Sequence, residues 1–180
     1  MKYDTVVIGG GNSGCAAARE ALEKGLKVCL VAAGLPIEVT DESRKKAPYE
    51  RIYALTKMGA DVFRGDRVTG GRWEGNVLKE VYTSNGLRLQ AKNFVLATGH
   101  FFGKGLISTA DSVREAVFDA DVDFPQDRSK WFDPDFFAPQ PFESFGVRTS
   151  PEGNIIIKGE AAANVRAAGK ILGIRHNDRN

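Results

Sequence analysis

The sequence is poor in the residues that most active-site chemistry needs. It has two cysteines, two histidines, two methionines and two tryptophans in 180 residues. Cys15 and Cys29 do not form a C-x-x-C pair, so the chain carries no iron–sulfur or zinc site of its own. They read as core thiols in a reducing compartment. No Ser-His-Asp grouping, carboxylate pair or His/Cys cluster emerges from the spacing. No charge sign dominates: 25 Lys and Arg stand against 23 Asp and Glu, a net charge of +2. That balance points to neither nucleic acid nor an anionic membrane. No apolar run reaches the length of a membrane-spanning helix. The N-terminal apolar run is short and leads into glycines, unlike a signal peptide. Internal repeats and low-complexity segments are absent. What remains is a composition of 42% hydrophobic and 27% charged residues, ordinary for a globular chain. The length suits one domain, 1–180.

The informative stretch is Tyr3 to Gly34. Tyr3 to Ile8 is an apolar, β-branched run, as expected of a buried strand. Gly9-Gly10-Gly11-Asn12-Ser13-Gly14 follows at once and fits G-x-G-x-x-G. Cys15 to Lys24 reads as a helix ended by Gly25, and Leu26 to Val31 as a second strand. The unit is a dinucleotide-binding strand–turn–helix–strand. Gly9 permits the tight turn, Gly11 lets a pyrophosphate approach the backbone, and Gly14 lets the helix pack close to the sheet. Asn12 and Ser13 then begin a helix whose free N–H groups and partial positive charge suit phosphate.

One expected part is missing. The fingerprint places Asp or Glu roughly 20 residues on, at the end of the second strand, to hold a ribose hydroxyl. That position is Ala32, followed by Ala33 and Gly34. No arginine stands there to meet a 2′-phosphate. An adenosine ribose is therefore held weakly, held by other residues, or not part of the ligand.

After Gly34 the order changes. Residues 35–46 are polar and contain Pro36, reading as a short linker. A helix is expected from about Ala47 to Gly59, with Pro48 in its first turn and Ile52, Leu55 and Met58 on one apolar face. Asp61 to Phe63 reads as a strand parallel to the first two. Three nearly alternating runs follow (Val68–Trp73, Val77–Thr83 and Leu87–Gln90), parted by Glu74-Gly75-Asn76 and by Ser84-Asn85-Gly86. They predict a three-stranded antiparallel meander. A further buried strand, Asn93 to Ala97, ends in Ala97-Thr98-Gly99, where glycine again lets backbone approach a ligand. Val147 to Ile157 reads as two short strands around Pro151-Glu152-Gly153-Asn154.

This succession resembles the flavoproteins with two dinucleotide-binding domains, in which the Ala-Thr-Gly turn passes the flavin. Phe94-Val95-Leu96-Ala97-Thr98-Gly99-His100-Phe101-Phe102-Gly103-Lys104-Gly105-Leu106 narrows it. It resembles the family of anaerobic glycerol-3-phosphate dehydrogenase B subunits. So do Val113 to Phe118 with Asp121-Val122, Gln140-Pro141-Phe142, Phe145-Gly146-Val147, and Asn164 to Gly173. The resemblance implies an α/β, Rossmann-like FAD/NAD(P)-binding domain: a parallel central sheet with helices and a three-stranded antiparallel β-meander. It implies a flavin, FMN or FAD, and FMN suits Ala32 because it has no adenosine ribose. Gly9, Gly11, Asn12, Ser13, Gly14, Ala32, Ala97, Thr98, Gly99 and Gly169 are the positions it places at the cofactor. It also implies oxidation of sn-glycerol 3-phosphate to dihydroxyacetone phosphate. Electrons would pass to quinone through a catalytic A subunit and a membrane-anchored iron–sulfur C subunit. The location would be cytoplasmic, peripheral at the inner membrane through those partners. Family members are longer, carrying a substrate-domain excursion where residues 35–46 stand and a final helix beyond the late strand. The shortened chain is expected not to act alone. A non-catalytic assembly module of the same fold is the alternative.

Other residues have two readings. His100, next to the presumed ligand, reads as a hydrogen-bond partner or base, the one candidate for a catalytic role, or as the cap of a strand end. His176 lies in a polar tail. Lys104 meets a phosphate or is simply exposed. Residues 124–145 crowd Trp131, Phe132, Phe136, Phe137, Phe142 and Phe145 between four prolines, which excludes a long helix. They read as an irregular segment that either folds its aromatics inward or shows them to a partner.

Overall fold

The structure, a computed structural model, describes residues 1–34 and 42–173, with side chains of the second helix described from residue 50. The first part of the expected linker, 35–41, and the tail 174–180 with His176 lie outside the described residues.

The opening unit forms as the sequence predicts. Strand β1 (Lys2–Ile8) leads through the glycine turn into helix α1 (Asn12–Glu23), then into strand β2 (Val28–Ala32). The helix starts three residues before its alanine-rich part, because Asn12, Ser13 and Gly14 make its first turn. Helix α2 (Glu42–Lys57) also starts early, inside the stretch 35–46, so Pro48 lies in its interior rather than in its first turn. Ile52 and Leu55 are buried as expected, but Met58 lies past the helix end and is exposed. Strand β3 (Asp61–Arg64) pairs parallel with β2.

The meander is β4 (Val68–Glu74), β5 (Val77–Thr83) and β6 (Arg88–Leu96), paired antiparallel. Here the structure corrects the sequence reading: Leu87–Gln90 and Asn93–Ala97 are not two strands but parts of one. β6 pairs parallel with β1 along its length, from Lys2↔Gln90 to Ile8↔Leu96. Its other edge changes partner. The first residues of β6 pair with β5, and Phe94 to Leu96 pair parallel with a later strand, Glu160–Ala167. The polar break Lys92-Asn93 marks that exchange.

Two short ribbons follow: β7 (Leu106–Ser108) with β8 (Val113–Glu115), and β9 (Val122–Asp123) with β10 (Gly146–Val147). Between β9 and β10, residues 124–145 hold two 3-10 turns, Arg128–Lys130 and Pro141–Ser144. Their aromatics divide. Trp131 and Phe145 are buried against Phe124 in a cluster of tilted and edge-to-face rings, and Trp131 Nε1 donates to the Pro125 carbonyl. Phe132, Phe136 and Phe137 are exposed. Strand β11 (Asn154–Ile157) pairs antiparallel with β12 (Glu160–Ala167), whereas the expected pairing around Pro151–Asn154 is reduced to the single bridge Thr149↔Ile155.

The main sheet runs β11-β12-β6-β1-β2-β3, an α/β architecture with apolar packing on both faces, as parallel strands require. Val7, Val28 and Leu30 face Cys15, Ala18, Ile52 and Leu55 of the two helices. Val6, Ile8, Cys29, Val31, Phe94 and Leu96 face the meander, Leu106, Trp131, Phe145 and Ile171. Cys15 and Cys29 are free thiols in these opposite cores. Burial, followed by nearby Asp61, pushes the Cys29 thiol up to about 12. Asn164 fills the gap where β6 changes partner. Its side-chain amide accepts from Leu78 N and donates to the carbonyls of Leu78 and Lys92, replacing missing strand-to-strand bonds.

Candidate functional site

The ends of β1, β6 and β12 place three turns side by side. Gly9 N donates to the Val31 carbonyl, Ala97 N to the Ile8 carbonyl and Ala168 N to the Leu96 carbonyl, each at 2.8 to 2.9 Å. These bonds carry the sheet pairing up to the point where each strand turns. The turns are therefore held rigidly by the sheet, at the carboxyl ends of parallel strands where open α/β sheets bind ligands.

The glycines explain the local geometry. Gly9 has a φ of 115°, and a Cβ there would overlap the Ala97 carbonyl. A Cβ at Gly14 would overlap the Gly9 carbonyl, so α1 rests directly on the turn. Gly169 likewise abuts Ser13, which brings the end of β12 against the start of α1. Gly11 is different: a Cβ there meets no atom of the described residues within 4 Å. No neighbouring group among the described residues explains that glycine.

The electrostatics agree. Gly11 caps α1 without a side-chain hydrogen bond, and no acidic residue stands in the first turn. The first intrahelical bond runs from Cys15 N to the Gly11 carbonyl. The N–H groups of Asn12, Ser13 and Gly14 precede it and have no partner within the helix. They point the positive end of the helix dipole into the crevice. Thr98 adds a buried hydroxyl with no hydrogen-bond partner among the described residues.

Ala32 is buried at the end of β2. Its Cβ stands 2.6 Å from where a Cβ of Gly10 would lie, so a glycine at 10 and a small residue at 32 are matched. The end of β2 thus supplies packing and no ribose hook. The donor set suits a pyrophosphate, while the usual grip on an adenosine ribose is absent from position 32.

His100 follows Gly99 but turns away from a ligand role. Its ring is buried, its Nε2–H donates to the Phe145 carbonyl at 2.8 Å, and Phe101 packs edge-on against it. Burial holds its pKa below the usual imidazole value, against the opposing pull of that carbonyl. It fastens the turn after β6 to the aromatic segment. Lys104 is exposed and adopts a left-handed φ of 58° on the loop beyond.

Sequence reasoning missed the polar joints that hold these loops. The Glu115 carboxylate accepts from the N–H groups of Val117, Phe118 and Ala120. Burial pushes its pKa up while those three donors oppose the rise. Asp66 accepts from Arg67 N, Asn85 N and Ser84 Oγ, tying the end of β3 to the β5–β6 turn. The only sequence signal was acidic residues bordering apolar alternation.

The family model for the FAD binding domain matches residues 4–41 and 46–178. The chain belongs to the FAD-binding-domain family. FAD, rather than FMN, is the flavin of that family, so the expectation drawn from Ala32 does not select FMN. Among curated proteins, this FAD-binding domain is similar to the B subunit of anaerobic glycerol-3-phosphate dehydrogenase. The Aliivibrio fischeri (strain MJ11) protein is 34% identical over 134 residues, covering 67% of this chain and 30% of the relative. That of Yersinia pseudotuberculosis serotype I (strain IP32953) is 35% identical over 123 residues, covering 67% and 29%. The chain thus spans about 30% of the length of the curated relatives it matches. Similar solved structures include a geranylgeranyl bacteriochlorophyll reductase-like protein from Thermoplasma acidophilum, with TM-score 0.49 and 20% identity, covering 56% of this chain and 40% of that one. A thioredoxin reductase from Gloeobacter violaceus gives TM-score 0.47 and 23% identity, covering 60% and 39%. No helix among the described residues is long and apolar enough to cross a membrane.

Proposed function

We propose that this chain holds FAD across its pyrophosphate and forms the flavin-bearing part of an oxidoreductase of the glycerol-3-phosphate dehydrogenase type. The observation that carries the proposal is the uncapped start of α1 facing open space at Gly11, walled by Ala97-Thr98-Gly99 and Gly169. Gly9, Gly11 and Gly14 shape the cradle. The N–H groups of Asn12 and Ser13 bind phosphate oxygens. Ala32 leaves the adenosine end to other residues. FAD, when bound, supplies two-electron redox chemistry. The rigid turns keep it oriented, and the packed face beneath it excludes water.

By similarity to the B subunits, the reaction is oxidation of sn-glycerol 3-phosphate to dihydroxyacetone phosphate, with electrons passed to quinone. A catalytic A subunit and a membrane-anchored iron–sulfur C subunit are the partners, and they bring the complex to the membrane surface. The chain reconstituted with FAD and those partners is expected to lose its flavin absorbance on anaerobic addition of sn-glycerol 3-phosphate. A flavin band unchanged by substrate in the reconstituted complex would refute this reaction. The second reading, a non-catalytic assembly module of the same fold, is favoured by the missing carboxylate at Ala32. It is supported instead if the chain binds its partners and takes up no FAD.

A further inference from the structure

The cradle lacks a grip at its adenosine end, and the structure places a cation beside that gap. Position 32 has no carboxylate, and Ala32 is packed against Gly10. Ile52 of α2 closes on the same point: its Cδ1 is 3.8 Å from where a Cβ of Gly10 would lie. Helix α2 therefore rests against the end of β2. Arg51, the residue before Ile52, lines the space between α2 and α1.

That space is a cavity of about 250 Å³. Asn12, Cys15 and Arg19 line it from α1, and Arg51 and Leu55 from α2. Asn12 belongs to the first turn of α1, so the cavity begins at the cradle itself. Its charges are ordered along the helix. Burial pushes the Cys15 thiol up, and the nearby Arg51 and Arg19 charges oppose the rise, Arg51 the more strongly. Arg51 thus stands by the first turn. Glu20 and Glu23 also line the cavity, but about two and three helical turns beyond Asn12, roughly 12 Å or more along the axis. Glu20 is moreover bonded to Lys24. The end at the cradle is cationic and the far end acidic.

Arg51 is half-buried, and its Nε is sealed from solvent with no hydrogen-bond partner among the described residues. A donor that has lost water and gained no acceptor is costly to a fold, and buried polar groups are rarely left so. The guanidinium is a donor fork with no acceptor of its own, and ribose hydroxyl oxygens accept. A carboxylate at position 32 would take hydrogen bonds from those hydroxyls. A guanidinium beside it gives hydrogen bonds to their oxygens, so the polarity of the grip is reversed.

We propose that Arg51 holds the adenosine ribose of FAD, in place of the carboxylate missing at Ala32, by donating from its guanidinium to the ribose hydroxyl oxygens at the Asn12 end of the cavity. The inference rests on the pyrophosphate binding at Gly11 as proposed above. The adenosine then runs from the cradle past Gly10 and Ala32 toward α2. The same residue favours FAD over FMN, which has no adenosine to reach it.

Fluorescence titration of the flavin-free chain tests this, with FAD and with an FAD analogue whose adenosine is 2′,3′-dideoxy. Arg51→Gln removes the charge and the fork at little change in helix preference, and circular dichroism checks that it remains folded. It is expected to bind FAD roughly 10-fold or more weakly, the loss of one charge-assisted hydrogen bond. Deleting the hydroxyls from the ligand is expected to weaken binding to the wild type by a similar factor. The same deletion is expected to weaken binding to Arg51→Gln by less than about 2-fold, because one bond cannot be lost twice. Arg51→Lys, the milder change, keeps the charge without the fork and is expected to fall between. Wild-type FAD affinity in Arg51→Gln overturns the proposal while leaving the cradle standing. So do two losses that multiply in the variant, since they make Arg51 and the hydroxyls independent. A wild-type chain that binds neither ligand overturns the cradle, and this inference with it, before Arg51 is altered.

Discussion

Two glycines three residues apart should respond in opposite ways to the same added methyl group. Gly14→Ala places a Cβ against the Gly9 carbonyl, which is backbone and cannot rotate away. The helix must lift off the sheet, an overpacking that costs about 3 kcal/mol. Alanine returns about 1 kcal/mol of helix propensity. The net loss is about 2 kcal/mol. Gly11→Ala places its Cβ in open space, at an extended φ of −75° that alanine adopts freely. Alanine is the poorer N-cap, by about 0.5–1 kcal/mol. Its smaller unfolded-state entropy offsets roughly 0.4–1 kcal/mol of that. The stability of the empty chain should therefore stay within about 0.5 kcal/mol of wild type. Cofactor binding should not. A methyl at Gly11 holds a pyrophosphate off the Asn12 and Ser13 N–H groups, and losing one charge-assisted hydrogen bond costs about 1.5–3 kcal/mol. That is roughly a 10- to 150-fold loss of FAD affinity. Urea unfolding without FAD reads the first quantity, and fluorescence titration with FAD reads the second. Wild-type affinity in Gly11→Ala would refute the placement of the pyrophosphate. Equal destabilisation by both substitutions would refute the packing argument.

Three further outcomes are expected. Asn164→Ala removes three hydrogen bonds to the backbone of Leu78 and Lys92 and should lower stability by about 3 kcal/mol, seen as a shifted urea midpoint with an unchanged slope. His100 is held neutral by burial, so its folded pKa lies below its unfolded value near 6.5. Its contribution is complete above that unfolded value and is lost as pH falls through the folded one. Stability should therefore decline below about pH 6.5, and His100→Gln should flatten that decline in urea melts at pH 7.5 and 5.5. Trp131→Ala opens a hole beneath Phe124 and Phe145 and leaves the Pro125 carbonyl unpaired, costing about 3–5 kcal/mol by thermal or urea unfolding.

The parts of the fold that were legible carry their cause locally. β1, the glycine turn, α1 and β2 follow from an apolar run, three spaced glycines and an alanine-rich helix. The meander follows from alternation and an Asn-Gly turn. β6 was not legible as one strand, because Lys92-Asn93 looks like an interruption. Its backbone bonds are nevertheless satisfied, by β1 on one side and by Asn164 on the other. β12 was only half legible for a related reason. Ala161-Ala162-Ala163 has little strand preference of its own. Pairing with β6 and bonds between Asn76 and the backbone of Ala161 and Ala163 make it a strand. In the site, Gly9, Gly11 and Gly14 could be read from spacing alone. That Gly169 closes on Ser13, or that Gly10 abuts Ala32, depends on contacts between turns far apart in sequence. The aromatic segment could be named but not sorted. Which rings turn inward is decided by the Trp131–Phe145 packing and by the bond from Asp133 N to Gln140 Oε1.

The most direct test of the FAD cradle is the visible absorption spectrum of the purified chain, recorded after incubation with FAD or with FMN and removal of free flavin. A retained flavin spectrum with FAD, lost in Gly11→Ala, is the expected result. A colourless protein after both incubations would contradict a cofactor site built at the start of α1 in this chain.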